Sequence, residues 1–309
     1  MRHTAPELVT ELCALVDAHA GAGVTTAIEG LLLGRADGGP EPDHSLTEPL
    51  LVIMARGGKR LLLGERVHEY RAGEILLVTA TLAVTGHFVD ATPERPALAL
   101  ALVLRPSLIA ALSLQAPAPS RARQHTPQPA VATGPASVDL LDAAVRMLRL
   151  LDHPADAPVL APLIEREILW RVLTGPHGAV LREIGQARSN LWHVGRAIAW
   201  LRENYAEPVR IEDLAARAGM SPSTFHRHFR AITALSPIQF QKRIRLQEAR
   251  SLLVARPDDV AGVGHLVGYD SPSQFSREYR RLFGMPPGQD AARLRATTPR
   301  EREIRRPLP

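Results

Sequence analysis

The stretch SPSTFHRHFR at residues 221–230 returns as SPSQFSREYR at residues 271–280. A ten-residue phrase rewritten fifty positions on commits this part of the chain to two copies of one supersecondary unit. The copying extends upstream. Ile211, Leu214, Ala215 and Ala218 form a small apolar face that ends at Gly219. Val260, Val263, Gly264 and Val267 do the same before Gly268. The offset is 49 before the turn and 50 after it, so one extra residue lies in the second turn, within Tyr269-Asp270. A short helix, a tight glycine turn and a second helix make a helix-turn-helix.

The helix boundaries are chemically marked. Ser221-Pro222, Ser236-Pro237 and Ser271-Pro272 each place a serine at the N-cap and proline at the first helical position. Phe225, Phe229 and Ile232 recur at i, i+4, i+7, and so do Phe275, Tyr279 and Leu282. These positions predict buried faces. The opposite face carries Ser223, Thr224, His226, Arg227 and Arg230 in the first copy. In the second it carries Ser273, Gln274, Ser276, Arg277 and Arg280. These residue types reach base edges and phosphates. A merely solvated face is the plain alternative, but it leaves the repeat unexplained.

Between the copies runs a helix from Pro237 to about Val254. Its length of about 27 Å, plus a turn at each end, approaches the ~34 Å between successive major-groove faces. Lys242, Arg243, Arg245 and Arg250 on this helix are placed for phosphates as well as for solvent. Charge agrees: 17 Lys/Arg against 20 Asp/Glu precede residue 190, and 20 against 12 follow, a net −3 and +8. A basic second half fits double-stranded DNA as partner.

The first half reads differently. Residues 50–54, 60–63, 75–79, 84–89 and 97–104 are short apolar runs separated by Gly57-Gly58, Gly64, Ala72-Gly73 and Pro93. Such spacing predicts a small sandwich or barrel. Residues 115–137, rich in Pro and Ala, read as a loop or linker. Helices follow over 137–152, capped by Ser137, and 159–175, ending at Gly175. This pair either packs on the barrel or forms a dimer interface. The first twenty residues carry Glu7, Glu11 and Asp17 within an apolar period, which predicts an amphipathic helix and not a signal peptide. No apolar run reaches the ~18 residues of a membrane span. The single cysteine, Cys13, excludes an internal disulfide and reads as a buried helix residue. The expected setting is cytoplasmic, with no membrane partner.

The segments IEDLAARAGMSPSTFHRHFR, SPIQFQKRIRLQEARSLL and VGYDSPSQFSREYRRLFGMPP resemble the DNA-binding domain of AraC/XylS-type bacterial transcription regulators. Residues 49–102 and the stretch LAPLIEREILWRVLTGPHGAVLR resemble the AraC-type N-terminal regulatory domain. The resemblance implies an α+β chain: a cupin-like β-barrel with flanking helices, then an all-α domain with two helix-turn-helix motifs joined by a linker helix. It divides the chain into an effector-sensing and dimerisation domain at 1–185, with its barrel at about 22–115. The double helix-turn-helix follows at 190–290, and a basic tail expected to be disordered at 291–309. It also implies a small-molecule effector, a homodimer and RNA polymerase as partners, and no cofactor. Carried over by position, Ser223, His226 and Arg227 face bases in the first copy, and Ser273, Gln274 and Arg277 in the second. Gly264 stands where the family usually has Ala, which predicts a weaker helix by ~1 kcal/mol and looser docking of the second copy. Ala83 replaces an expected Pro.

Two other classes make distinct demands. A metal-dependent cupin enzyme needs a cluster such as His-x-His with a nearby Glu. The front domain offers His44, His68 and His87, well separated and without a His-x-His, with His68 and Glu69 on opposite strand faces. The single His-x-His, His226 and His228, sits two apart on a helix and shares no face. Neither a Gly-rich phosphate loop nor a nucleophile elbow occurs. An architectural DNA binder needs charge but no folded sensor, and would show almost no preference between target and random DNA.

Overall fold

The computed structural model describes residues 3–21, 24–38, 42–117, 129–186 and 189–296. Helix α1 (Ala5–His19) begins with Pro6 in its first turn and a capping box in which the Thr4 amide donates to Glu7 Oε2 at 2.8 Å. Its Leu8, Leu12 and Val16 form the buried stripe of the amphipathic helix expected from sequence.

Among the described residues, nine strands form two antiparallel sheets. The first runs β1 (Leu31–Ala36), β8 (Ala97–Val103), β3 (Leu50–Arg56), β6 (Glu74–Val78), β9 (Val131–Pro135). The second runs β2 (Asp43–Thr47), β7 (Leu82–Val89), β4 (Gly58–Leu63), β5 (Arg66–Arg71). The cupin-like unit is thus two layers and not one closed ladder. Strand β8 shows why the first sheet is apolar on both faces. Its Leu98, Leu100 and Leu102 face the helices, in one core with Leu8, Leu12 and Val16. Its Ala99 and Ala101 face the second sheet, in a core with Leu61, Leu63, Leu82 and Val84. Alternation of large and small side chains lets the two layers close on one side and accept helices on the other.

The five apolar runs all become strands. The other four strands have weaker signals, and one corrects the reading of 115–137 as loop. There, β9 hydrogen-bonds along β6, pairing Glu74 with Pro135 and Val78 with Val131. Its proline lies at the end of an edge strand, where a missing N–H costs least. Residues 118–128 of that stretch lie outside the described residues.

The sheet ends in α2 (Pro106–Gln115), which falls inside the region expected to be barrel. Helices α3 (Val138–Arg149), α4 (Ala157–Thr174) and α5 (Gly178–Gly185) follow. Ser137 caps α3 by accepting from the Leu140 amide at 3.2 Å. Among the described residues the second half is all helical: α6 (Asn190–Glu203), α7 (Ile211–Arg217), α8 (Pro222–Thr233), α9 (Pro237–Ala255), α10 (Val260–Leu266), α11 (Pro272–Phe283) and α12 (Pro287–Ala296). The expected tail therefore begins as helix, with Asp290 and Ala291 fully buried. Residues 297–309 lie outside the described residues. Among the described residues no helix is long and apolar enough to cross a membrane.

The helical half docks on the second sheet. Arg202 pairs with Glu48 at 2.8 Å, and Gln247 Nε2 donates to the His44 carbonyl at 2.5 Å. The His44 ring lies edge-on to Phe283, with Nδ1 3.0 Å from Thr85 Oγ1. Burial, then Arg243 and Arg250 on α9, push its pKa down to about 4, against the opposing pull of Asp290. Arg281 of α11 lines the same crevice. The undocked imidazole titrates near ~6.5. The docked state therefore binds fewer protons between about 4 and ~6.5, so docking strengthens as pH rises through that window. Acidification below pH ~6.5 should loosen the two halves. Small-angle scattering at pH 7.5 and 5 should show an expansion that His44→Phe removes.

Candidate nucleic-acid interface

Both copies of the repeat fold as helix, turn, helix. In the first, α7 turns at Gly219, and the Met220 amide donates to the Ala215 carbonyl at 2.9 Å. In the second, α10 turns at Gly268, and the Tyr269 amide donates to the Gly264 carbonyl at 2.9 Å. Tyr269 thus takes the place of Met220, and the extra residue is Asp270. The second helices start at serine caps: Ser221 Oγ accepts from the Thr224 amide at 3.4 Å, and Ser271 Oγ from the Gln274 amide at 3.3 Å.

Aromatic rings fix each helix. Phe225 and Phe229 are fully buried, 5.4 Å apart, and Phe229 meets Phe240 of α9 at 5.6 Å. Phe275 lies 5.4 Å from Tyr269 and 5.6 Å from Tyr279. Gly264 belongs to this packing. A Cβ there would sit 3.0 Å from Phe275 Cδ1 and 3.2 Å from Cγ. The glycine therefore does not simply weaken α10; its missing side chain lets Phe275 seat against it, so the expected loosening does not follow.

The outward faces are open. Ser223, His226, Arg227 and Arg230 are exposed on α8, and Ser273, Gln274, Arg277 and Arg280 on α11. Thr224 is half-buried and takes a hydrogen bond from Ser221 Oγ at 2.9 Å. Among the described residues, no hydrogen bond or ion pair holds the side chain of Arg227, Arg230, Arg277 or Arg280. Helix α9 separates the two second helices with 19 residues, about 28 Å of rise.

The cations of α9 divide by role. Lys242 Nζ lies 2.7 Å from Glu278 Oε1. Arg245 turns inward: Nε donates to the Tyr205 carbonyl at 2.7 Å and Nη1 to that of Gly268 at 2.6 Å. Its Nη2 reaches the carbonyls of Ala206 at 3.1 Å and Glu207 at 3.0 Å. Gln241 assists by donating to Tyr205 and Glu207. This geometry removes Arg245 from the phosphate-facing set expected from sequence. Arg250 is likewise engaged, with Asp290 at 2.8 Å and beneath the Phe283 ring at 4.7 Å.

Glu278 is the anchor that sequence reading passed over. Burial raises its pKa, but hydrogen bonds from Lys242, Tyr269 and Gln274 outweigh that and hold the carboxyl below its usual range. Gln274 Nε2 lies 3.3 Å from this carboxylate, so one expected reading residue is braced from behind. His44 sits at the junction between halves, whereas His68 and His87 lie on β5 and β7. Among the described residues no cluster of three His, Cys, Asp or Glu is arranged to hold a metal.

Residues 27–180 match the family described as the AraC-type transcriptional regulator N-terminus, and residues 214–293 match a helix-turn-helix domain family. The chain belongs to the AraC-type transcription regulators. Similar proteins include the HTH-type transcriptional activator RhaS of Salmonella paratyphi A, 29% identical over 133 residues, 42% of this chain and 46% of that one. RhaS of Escherichia fergusonii is 37% identical over 126 residues, 40% of this chain and 44% of that one. The chain spans about half the length of the curated relatives it matches. In overall fold this AraC-type regulator is similar to ToxT from Vibrio cholerae. An apo crystal structure of a ToxT point variant superposes with a TM-score of 0.57 at 8% identity, covering 87% of this chain and 99% of that one. Wild-type ToxT with bound unsaturated fatty acid gives 0.53 at 9%, covering 85% and 95%.

One further residue of the regulator escaped the sequence reading. Arg281 is exposed on α11 and lines a groove between α8 and α11, floored by α9, together with His226 and Arg230. Its counterpart in the first copy is Ala231, so the repeat itself gave no cue.

Proposed function

We propose that this AraC-type regulator controls transcription by reading two adjacent major-groove segments of a DNA site with α8 and α11. The observation that carries the reading is the pair of open, unpaired arginine faces at matching repeat positions, separated by a helix about 28 Å long. Arg227 and Arg277 are the base readers, with Ser223, His226, Ser273 and Gln274 beside them. Arg230, Arg280 and Lys242 grip phosphates. Thr224 takes a lesser part because it is tied into its own cap.

The first half senses a small molecule and exerts no catalysis. The fatty acid bound to ToxT, a protein of the same fold, supports a small-molecule effector. The chain acts in the cytoplasm at the nucleoid, on RNA polymerase, as a homodimer. The outer face of α4 supports the last point: Val159 and Leu163 are 67% and 58% exposed, four residues apart on one helix face.

Arg227→Ala and Arg277→Ala should each cost ~1–3 kcal/mol in affinity for the specific site and relax base preference at one position. A gel-shift assay at fixed salt, with the target found by footprinting upstream of neighbouring genes, measures this. Unchanged specific affinity in both variants would overturn the docking.

A further inference from the structure

We propose that the groove between the two reading helices clamps the DNA sugar-phosphate backbone, and that Arg281 is its main sequence-independent contact. This rests on the DNA-reading proposal above and adds a site to it. The groove encloses about 460 Å³. His226 and Arg230 enter it from the first reading helix, Arg281 from the second, and Ile238, Gln239 and Lys242 from α9 between them, with Ser236 at the cap of α9. Cations from both copies thus converge on one cleft.

Three features select a phosphate strand as occupant. First, position: two helices in successive major grooves leave the intervening minor groove, with its flanking phosphates, facing the element between them. That element is α9, and the groove opens over its first turn. Second, charge: among the described residues Arg230 and Arg281 have no acidic partner, while Glu278, the nearby acid, is engaged with Lys242 at 2.7 Å. Third, the floor is the start of a 19-residue helix, whose aligned peptide dipoles add positive potential to that of the side chains. A guanidinium fork matches two phosphate oxygens in one plane.

The asymmetry of the repeat supports the assignment. Arg230 and Arg280 occupy equivalent positions, but Arg281 matches Ala231. The second copy alone sends an extra arginine back toward the first. A duplicated base-reading function does not require it, whereas a single strand crossing between the heads does.

The test compares full-length protein with Arg281→Ala and Arg281→Lys, using fluorescence anisotropy from 50 to 200 mM salt. The probes are a duplex selected from a random pool by the wild type, and a scrambled duplex of the same composition. Arg281→Ala should weaken both by similar factors and lower the slope of log affinity against log salt by about 1. Arg281→Lys should restore most of that slope. The side chain is exposed, so melting curves of the three proteins should coincide. An unchanged slope, or a loss confined to the selected duplex, overturns the clamp. Failure to select any preferred duplex sinks the two-headed reading instead, and the slope on scrambled DNA still decides the clamp.

Discussion

Arg245→Met should lower the stability of the helical half by about 3 kcal/mol and leave the salt slope of DNA binding untouched. The guanidinium holds four backbone carbonyls, those of Tyr205, Ala206, Glu207 and Gly268. Three of them close the loop after α6, and Gly268 forms the turn of the second copy. One side chain therefore ties the entry of the first copy to the turn of the second. Hydrogen bonds from a charged donor are worth ~1.5–3 kcal/mol each, and the removal of a half-buried charge returns part of that sum. Arg245→Lys should rescue little, because a single ammonium cannot span carbonyls on both sides. Thermal melts monitored by circular dichroism measure the loss. A variant of unchanged melting temperature whose DNA binding lost one unit of salt slope would return Arg245 to the phosphates.

The fate of Arg245 marks where sequence stops being informative. The repeat was legible because it is written in caps, glycines and aromatic spacing, all local signals with local causes. Ser221, Ser236 and Ser271 do cap their helices, and Phe225, Phe229, Phe275 and Tyr279 are fully buried. The apolar strands were legible for the same reason. Strands β2 and β5, written DHSLT and RVHEYR, were not: their polar residues gain order only from the neighbours they pair with. Strand β9 was hidden in a composition that reads as linker. The cations of α9 were the hardest case. Lys242, Arg245 and Arg250 look alike in sequence, and three long-range partners decide their roles: Glu278, the Tyr205–Glu207 carbonyls and Asp290. Gly264 was misread in the opposite direction. Propensity counts its cost to its own helix but not the Phe275 ring that the missing Cβ admits.

Asp290→Ala should be the most damaging single change in the second copy, costing ~3–5 kcal/mol. The carboxylate is fully buried and collects three donors from three elements. Arg250 of α9 donates to Oδ2 at 2.8 Å, Tyr279 OH of α11 to Oδ2 at 2.8 Å, and Arg293 of α12 to Oδ1 at 2.8 Å. Without it the Arg250 guanidinium, 22% exposed, loses its counter-charge, and the hydroxyl of buried Tyr279 loses its acceptor. Breaking such a pair costs far more than never having built it. Asp290→Asn keeps the size and some hydrogen bonding, so it should fall between wild type and Ala. The pH dependence carries its own sign. Burial raises the Asp290 pKa, but hydrogen bonds from Arg250 and Arg293 overcome it and hold the carboxyl below its usual range. A depressed folded pKa contributes stability that is fully present above the unfolded value of ~3.9 and is lost as pH falls through the folded one. Urea unfolding of wild type and Asp290→Ala should thus give a constant gap from pH 7 to ~5 that narrows only below pH ~4. Because α12 locks α11 onto α9 through this carboxylate, the same variant should lose base preference at the Arg277 position before it loses it at Arg227.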